Sequence, residues 1–378
     1  MRSAVLMTMA RKKGGGERRQ RAKQRAQYDE MDKYPVMPPH AFARIVRDKT
    51  TLNIIYQIIE PPLTKKEQEQ RDEIMDIFIR SLTANIEEID SNPDAYVRTA
   101  MDKVIKAYSM KINKKSKSKI FYYLRRDLIG YGKMDVLMND VNVEDISMDG
   151  TNVPIFAYHR KFESVETTCV WETDHELESY VIKLAQRCGK HISVAEPLLD
   201  ATLMDGSRIV MKLGHEISTR GSSFCIRRFK DDPFSPADIV AFRTMSSLMT
   251  AYLWIAFQNE VPMLFVGGTA SGKTTTLNAM CIFIPWQMKI VSIESTREVN
   301  IPQPNWVPGL TRQGFGGESD DGVIGEFELL KAALRERPEY IIVGEIRGAE
   351  AYVLFQAMAT GHCAYSTCLL YTSPSPRD

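Results

Sequence analysis

The sequence predicts an α/β protein in two parts: an α+β domain over residues 34–230 and a core over 237–367 in which strands and helices alternate. The alternation is the first observation. Apolar, strand-length runs at 261–266, 289–293 and 340–343 are separated by helical segments, an order that builds a parallel sheet with right-handed crossovers. The second is size, since 378 residues with 44% hydrophobic content suffice for two cores. The third is Gly267-Gly268-Thr269-Ala270-Ser271-Gly272-Lys273-Thr274, which follows the run Val261 to Val266 and fits G-x-x-x-x-G-K-[ST] at every fixed position.

Residues 1–33 carry Arg11-Lys12-Lys13, Arg18-Arg19, Arg21, Lys23 and Arg25 around Gly14-Gly15-Gly16, with almost no large apolar residue. Such a stretch reads as a disordered basic tail, either simply solvated or in contact with anionic lipid or an acidic partner. From Tyr34 to Pro62 prolines interrupt β-rich pieces such as Leu52 to Ile59. Thr64-Lys65-Lys66-Glu67 has the form of a capping box, and Ile74, Ile77, Phe78 and Leu82 follow at helical spacing. Further helices are expected at Pro93 to Met110 and Ile120 to Asp127, completing a helical subdomain. Short alternating strands then occupy Val143 to Met148 and Val153 to His159 with Asp149-Gly150 between them, and Ala201 to Met211 repeats the pattern around Asp205-Gly206. Residues 231–236, Asp-Asp-Pro-Phe-Ser-Pro, read as the linker.

Composition excludes several classes. Lys plus Arg is 49 against 48 Asp plus Glu, so the chain has no global nucleic-acid signature, and no basic patch interleaved with aromatics is visible. No apolar run approaches the roughly 20 residues needed to cross a bilayer, and the basic cluster follows the short N-terminal apolar stretch where a secretory signal would need it to precede. A cytoplasmic chain, or one peripheral to a membrane, is expected. Six cysteines without a C-x-x-C pair read as small buried hydrophobes in a reducing compartment and offer no zinc site.

The glycine-rich stretch implies a nucleoside triphosphate. Residues Gly267 to Gly272 can turn successive backbone N–H groups inward around a β-phosphate, where any Cβ would crowd the anion. Lys273 then reaches the β- and γ-phosphates, the Thr274 hydroxyl coordinates Mg²⁺, and Thr275 continues a helix whose N-terminus faces the anion. Two strand runs deliver carboxylates to the same edge, one ending in Glu294-Ser295-Thr296-Arg297-Glu298 and the other in Gly344-Glu345-Ile346-Arg347. Hydrolysis of ATP needs Mg²⁺ held through water and a carboxylate to orient the attacking water. Glu345 suits the first role and can serve the second, while Glu298 and Glu294 compete for the second. An arginine must neutralise the transferred phosphoryl group, and Arg208, Arg220, Arg227 and Arg228 before the linker stand beside Arg312, Arg335, Arg337 and Arg347 within the core.

These stretches together resemble the type II/IV secretion ATPases. The resemblance rests on Gly267 through Asn278, the acidic box Ser292 to Glu298, Arg337-Pro338-Glu339-Tyr340-Ile341-Ile342-Val343-Gly344-Glu345-Ile346-Arg347, and Ala359-Thr360-Gly361-His362 through Ser366-Thr367. Arg125 to Gly132 and Val143 to Gly150 are similar to the archaeal branch that assembles archaella and type IV pili, and the likeness covers Tyr34 to Thr367. It implies a RecA-like P-loop NTPase core, ATP hydrolysis with Mg²⁺, a homo-oligomer that is a hexamer, and work on a polytopic membrane platform that moves pilin or archaellin subunits. It also implies a γ-phosphate or interface sensor at His362 and raises Arg208, Arg220, Arg227 and Arg228 as residues completing the nucleotide site. Two departures stand out: Ser295 takes the place of the family's Asp, and Cys368-Leu369-Leu370 replace the continuation to a second histidine. The cysteine-rich metal module of some bacterial relatives is absent. Residues 368–378 read as a non-native, adapter-like tail, so a core truncated after about Thr367, with an open sheet edge and little turnover, is expected. Two other readings share these motifs, a nucleic-acid translocase or packaging ATPase and a nucleotide-gated scaffold without turnover.

Overall fold

The computed structural model describes residues 27–81, 92–229, 233–269, 271–311, 324–346, 350–359 and 361–369. Expectations for Ala270, Arg312, Arg347, Thr360 and the segments 1–26 and 370–378 lie outside the described residues. The chain divides into two units, the first comprising 1–199 with 210–228 and the second 200–209 with 229–378.

In the first unit, strands β1 (Tyr28–Met37), β2 (Ala41–Asp48) and β3 (Ile54–Ile59) precede helices α1 (Lys65–Ser81), α2 (Pro93–Ala107), α3 (Lys114–Leu128) and α4 (Asp135–Asn139). Strands β4 (Val143–Met148), β5 (Pro154–His159) and β6 (Glu163–Val170), helix α5 (Asp174–Arg187), then β7 (Leu198–Thr202), β8 (Arg208–Lys212) and β9 (Ser223–Arg227) follow. The strands form one nine-stranded sheet in the order β1-β2-β3-β6-β5-β4-β9-β8-β7. The capping box at α1 forms as expected, with Thr64 N–H donating to Glu67 Oε2 at 2.8 Å and Glu67 N–H to Thr64 Oγ1 at 3.3 Å. Helices α1, α2 and α3 bury Ile74, Phe78, Val97, Met101, Val104, Ile120 and Leu124 against one another. Strand β1 begins at Tyr28, inside the stretch read as a basic tail, because antiparallel pairing of Tyr28 with Asp48 orders a backbone of which half the residues are exposed and none is fully buried. The β7–β8 turn, Asp200–Ile209, groups with the second unit.

In the second unit, α6 (Pro236–Ala241) and α7 (Ser247–Gln258) lead into β10 (Met263–Gly267), α8 (Lys273–Cys281), β11 (Ile290–Glu294) and β12 (Trp306–Leu310). Helix α9 (Glu326–Arg335), β13 (Tyr340–Ile346), α10 (Glu350–Ala359) and β14 (Cys363–Leu369) complete it. The five strands are all parallel, in the order β10-β14-β13-β11-β12. Alternate residues feed two cores. Ile290, Tyr340, Ile342 and Tyr365 pack with Leu277, Met280 and Phe257, while Val291, Ile293, Ile341, Val343 and Ala364 pack with Leu330, Ala333 and Leu354. Burial on both faces is why these strands read as continuous apolar runs. Between β11 and α9 lies β12, a strand absent from the runs read in the sequence, and its Pro308 is tolerated because β12 is an edge strand. Strand β14 runs through Cys368 and Leu369, into the segment expected to lack strand character, because parallel pairing with Val266 and Gly267 orders those two residues. The six cysteines form no disulfide. Among the described residues no helix is long and apolar enough to cross a membrane, and no cluster of His, Cys, Asp or Glu has the arrangement of a metal site.

Candidate functional site

Parallel strands end at one edge, and that edge collects most of the chemistry anticipated from sequence. Gly267 closes β10, Glu294 closes β11, and Glu345 lies in the last turn of chain in β13. The loop after β10 is held closed by its own groups. Ser271 Oγ donates to Gly268 O at 2.9 Å and Lys273 Nζ to the same oxygen at 2.7 Å. A Cβ on Gly267 would stand 2.7 Å from Ser271 Oγ, so the loop closes only with glycine there. Helix α8 starts at Lys273 behind Gly272, whose φ of 82° is left-handed and whose cap position supplies no side-chain acceptor. The first N–H groups of α8 therefore face outward uncapped, and a Cβ on Gly268 or Gly272 would meet nothing within 4 Å. That open cradle, next to partly buried Thr274 and exposed Thr275, fits a phosphate.

Three carboxylates read from sequence as near-equivalents have distinct settings. Glu294 is 2% exposed, and its Oε1 accepts the backbone N–H groups of Glu298 and Val299, each at 2.9 Å, while its Oε2 is buried without a partner. Burial pushes its pKa up to about 7 against the pull of those two hydrogen bonds. Glu298 is exposed at the loop surface, and Glu345 is partly buried. Gly344, immediately before Glu345, abuts Glu294: a Cβ there would stand 3.0 Å from Glu294 Cγ. Glu294 thus serves as an internal brace for the loop that presents Glu298.

Two further residues that sequence reasoning did not single out tie the edge together. Asn278, on α8, accepts from Asn300 N–H at 3.0 Å and donates to Glu298 O at 3.4 Å, joining the phosphate helix to the acidic loop. Thr367 Oγ1 donates to Gly344 O at 2.6 Å, joining β14 to β13. Their one-letter motifs were visible, but hydrogen bonds between segments 20 and 23 residues apart leave no local signal.

His362 requires a correction. Its neighbour Cys363 pairs with Tyr340 at the start of β13, so His362 lies at the amino edge of the sheet, a seven-residue strand or about 20 Å from the phosphate edge. In a parallel sheet the two ends of β14 belong to opposite edges, so His362 does not stand at the phosphate edge of its own core. The positions of β14 in register with Val266 and Gly267 are Cys368 and Leu369.

Of the four arginines ahead of the linker, Arg208, Arg227 and Arg228 are engaged locally through their side chains, and Arg220 is exposed. Arg208 donates to Asp200, at 3.2 Å from Nε to Oδ1 and again through Nη2. Arg227 is largely exposed and 3.4 Å from Asp145. Arg228 donates through Nη1 to Asp140 O, and to Val143 O at 3.0 Å, clamping the turn before β4. Arg220 packs its backbone against Gly150, where a Cβ would lie 2.4 Å from Arg220 O.

The five-strand order, with β14 between the phosphate-loop strand β10 and β13, is a RecA-like P-loop core. The uncharacterized protein MJ0900 of Methanocaldococcus jannaschii is 39% identical over 321 residues, covering 84% of this chain and 56% of that protein. The type IV secretion system protein VirB11 of Bartonella henselae is 28% identical over 235 residues, 53% of this chain and 64% of its own length. Among solved structures, the ATPase DotB of Legionella pneumophila matches with a TM-score of 0.44 at 21% identity, covering 63% of this chain and 64% of that one. The chain spans about half the length of the curated relatives it matches. Residues 159–372, more than half of the sequence, match the family model, and the chain belongs to the Type II/IV secretion system protein family.

Proposed function

We propose that this chain is an ATP-hydrolysing motor of a type II/IV secretion, pilus or archaellum assembly system. The observation that carries the reading is the uncapped N-terminus of α8 behind the open glycine cradle, on the same sheet edge as Glu294, Glu298 and Glu345. Lys273, folded onto Gly268 O, is the cation positioned to turn to the β- and γ-phosphates. The Thr274 hydroxyl and the Glu345 carboxylate, both at this edge, fit Mg²⁺ and would hold it. When bound, Mg²⁺ neutralises phosphate charge as the terminal phosphoryl group departs. Glu298, exposed and fixed through its backbone by Glu294 and Asn278, orients the attacking water; an arginine of Arg208, Arg220, Arg227 or Arg228 completes the charge balance.

In this reading the protein works as a homohexamer at the cytoplasmic face of a membrane, against a polytopic platform protein that moves pilin or archaellin subunits, and His362 serves a subunit interface. Family membership and the likeness to the archaeal protein support it. ATP turnover of the wild-type protein, of Lys273→Ala and of Glu345→Gln, each with and without single-stranded DNA, tests it. Turnover abolished by either substitution and indifferent to DNA is expected. Stimulation by DNA would replace the reading with a translocase, and ATP binding without turnover would replace it with a nucleotide-gated scaffold.

A further inference from the structure

The acidic loop after β11 has its two carboxylates accounted for, but Arg297, beside the second of them, points elsewhere. The Arg297 guanidinium carbon lies 5.1 Å from the centroid of the Phe229 ring and 5.6 Å from that of Trp306, distances at which a cation is drawn to aromatic faces. Its Nε is buried without a hydrogen-bond partner, so ring faces hold that part of the group. Both rings are anchored. Trp306 Nε1 donates to Ser292 Oγ at 2.9 Å, and Ser292 is fully buried in β11. Phe229 donates its backbone N–H to Ser207 Oγ at 3.1 Å, and its ring lies over Gly206, where a Cβ would stand 3.2 Å away.

All six of these residues belong to the second unit, and both of its segments are represented among them. Phe229 begins its main segment, and Gly206 and Ser207 lie in the turn Asp200–Ile209 that forms its other segment. The stack therefore joins the loop carrying Glu298 to both segments of the second unit.

We infer that Arg297 is a positioning residue that couples occupancy of the phosphate site to Phe229 and the β7–β8 turn; this rests on the proposed reading of the acidic loop as nucleotide-responsive. A shift of Glu298 toward bound nucleotide carries its neighbour Arg297 along. Phe229 must follow to keep its contact with the guanidinium, and Ser207 follows through the backbone hydrogen bond. Removing the guanidinium breaks this chain while leaving the glycine cradle and Lys273 in place.

Hydrogen exchange of the full chain, with and without MgATP, tests the coupling. In the wild type, nucleotide changes exchange at residues 203–209 and 229 by about tenfold, corresponding to a small shift in local opening equilibrium. In Arg297→Ala and in Phe229→Leu that response disappears while ATP affinity stays within about twofold and kcat falls about tenfold at unchanged KM, the pattern of lost positioning. Arg297→Lys restores part of the response, since an ammonium also binds ring faces. A nucleotide response that persists in Arg297→Ala overturns the inference. Should the wild type fail to bind ATP, the proposed function falls. The stack is then tested on its own by a double-mutant cycle of Arg297→Ala with Phe229→Ala, where additive unfolding midpoints would overturn it.

Discussion

Glu294 Oε1 accepts the backbone N–H of Glu298 at 2.9 Å, so the buried carboxyl of the acidic box holds the exposed one in place. Four residues apart in sequence, the two have opposite surroundings, and that difference separates a brace from a group free to meet water.

The first prediction concerns stability against pH. Burial raises the Glu294 pKa from 4.5 to about 7, with nearby Glu298 adding to the rise and Arg297 opposing it. Between those two values the folded protein keeps a proton that the unfolded chain has released, so stability falls as pH rises from about 4.5 to 7, by about 3 kcal/mol in all. Above the folded pKa this group adds no further slope. Glu294→Gln preserves an acceptor for Glu298 and Val299 and cannot ionise. Urea midpoints of the nucleotide-free protein between pH 4.5 and 8 should shift against the wild type relative to Glu294→Gln as pH rises, whatever the shared slope; parallel profiles would contradict the assignment.

Gly344 offers a steric test of the same packing. A Cβ at this position would meet Glu294 Cγ at 3.0 Å and Glu294 Cβ at 3.6 Å, with the strand held from the other side by Thr367. Gly344→Ala must displace either the brace or β13, at a cost of about 1–3 kcal/mol. Because both movements disturb carboxylates of the phosphate edge, ATP turnover should fall further than stability alone explains, as judged by kcat measured well below the melting temperature.

The two open glycines of the phosphate loop should separate binding from folding. At Gly268 an added methyl meets no atom within 4 Å, so Gly268→Ala should leave the nucleotide-free melting temperature nearly unchanged while weakening ATP binding at least about tenfold, because the methyl occupies the anion's approach. At Gly272 the backbone itself requires glycine: φ is 82°, and alanine there costs about 1–2 kcal/mol. Gly272→Ala should therefore lose both stability and binding. Calorimetric titration with ATP alongside thermal unfolding distinguishes the two cases.

What the sequence disclosed follows from which constraints are local. The phosphate loop was legible because an anion demands glycines and a lysine at fixed spacing, and β11 and β13 because burial on both faces makes a strand apolar throughout. Gly206, with φ of 83°, was legible as a turn for the same kind of reason. The burial of Glu294 was not, since it depends on Gly344 some fifty residues away, and neither was β12, whose Pro308 argues against a strand until its edge position is known. The edge at which His362 lies was not legible, because a motif gives the identity of a residue while only strand direction gives its edge. The arginines Arg208 and Arg228 looked available because their partners, Asp200 and the carbonyls of Asp140 and Val143, come from other strands and turns.

A buried network in the first unit supports the last prediction. Asp140 Oδ2 accepts the Tyr34 hydroxyl at 2.6 Å and the Tyr56 hydroxyl at 2.7 Å, and Oδ1 accepts Asn142 N–H at 2.9 Å. His159 Nδ1 accepts Lys161 N–H at 3.1 Å, so the neutral ring carries its proton on Nε2, 3.0 Å from Tyr34 Oη. The Tyr34 hydroxyl then accepts from His159 and donates to Asp140. Protonating Nδ1 would oppose the Lys161 N–H, and burial lowers the His159 pKa below 6.5, with Lys161 and Arg160 assisting and Asp140 and Asp32 opposing. The unfolded chain takes up that proton near pH 6.5 while the folded one resists it, so this contribution is intact above 6.5 and is lost as pH falls below it. Asp140→Ala strands two buried hydroxyls and should cost about 2–4 kcal/mol, whereas Asp140→Asn, which keeps an acceptor oxygen, should cost less. His159→Gln, unable to titrate, should flatten the acid limb of stability between pH 5 and 7 measured by urea unfolding. An acid limb unchanged by that substitution would show that the histidine does not set it.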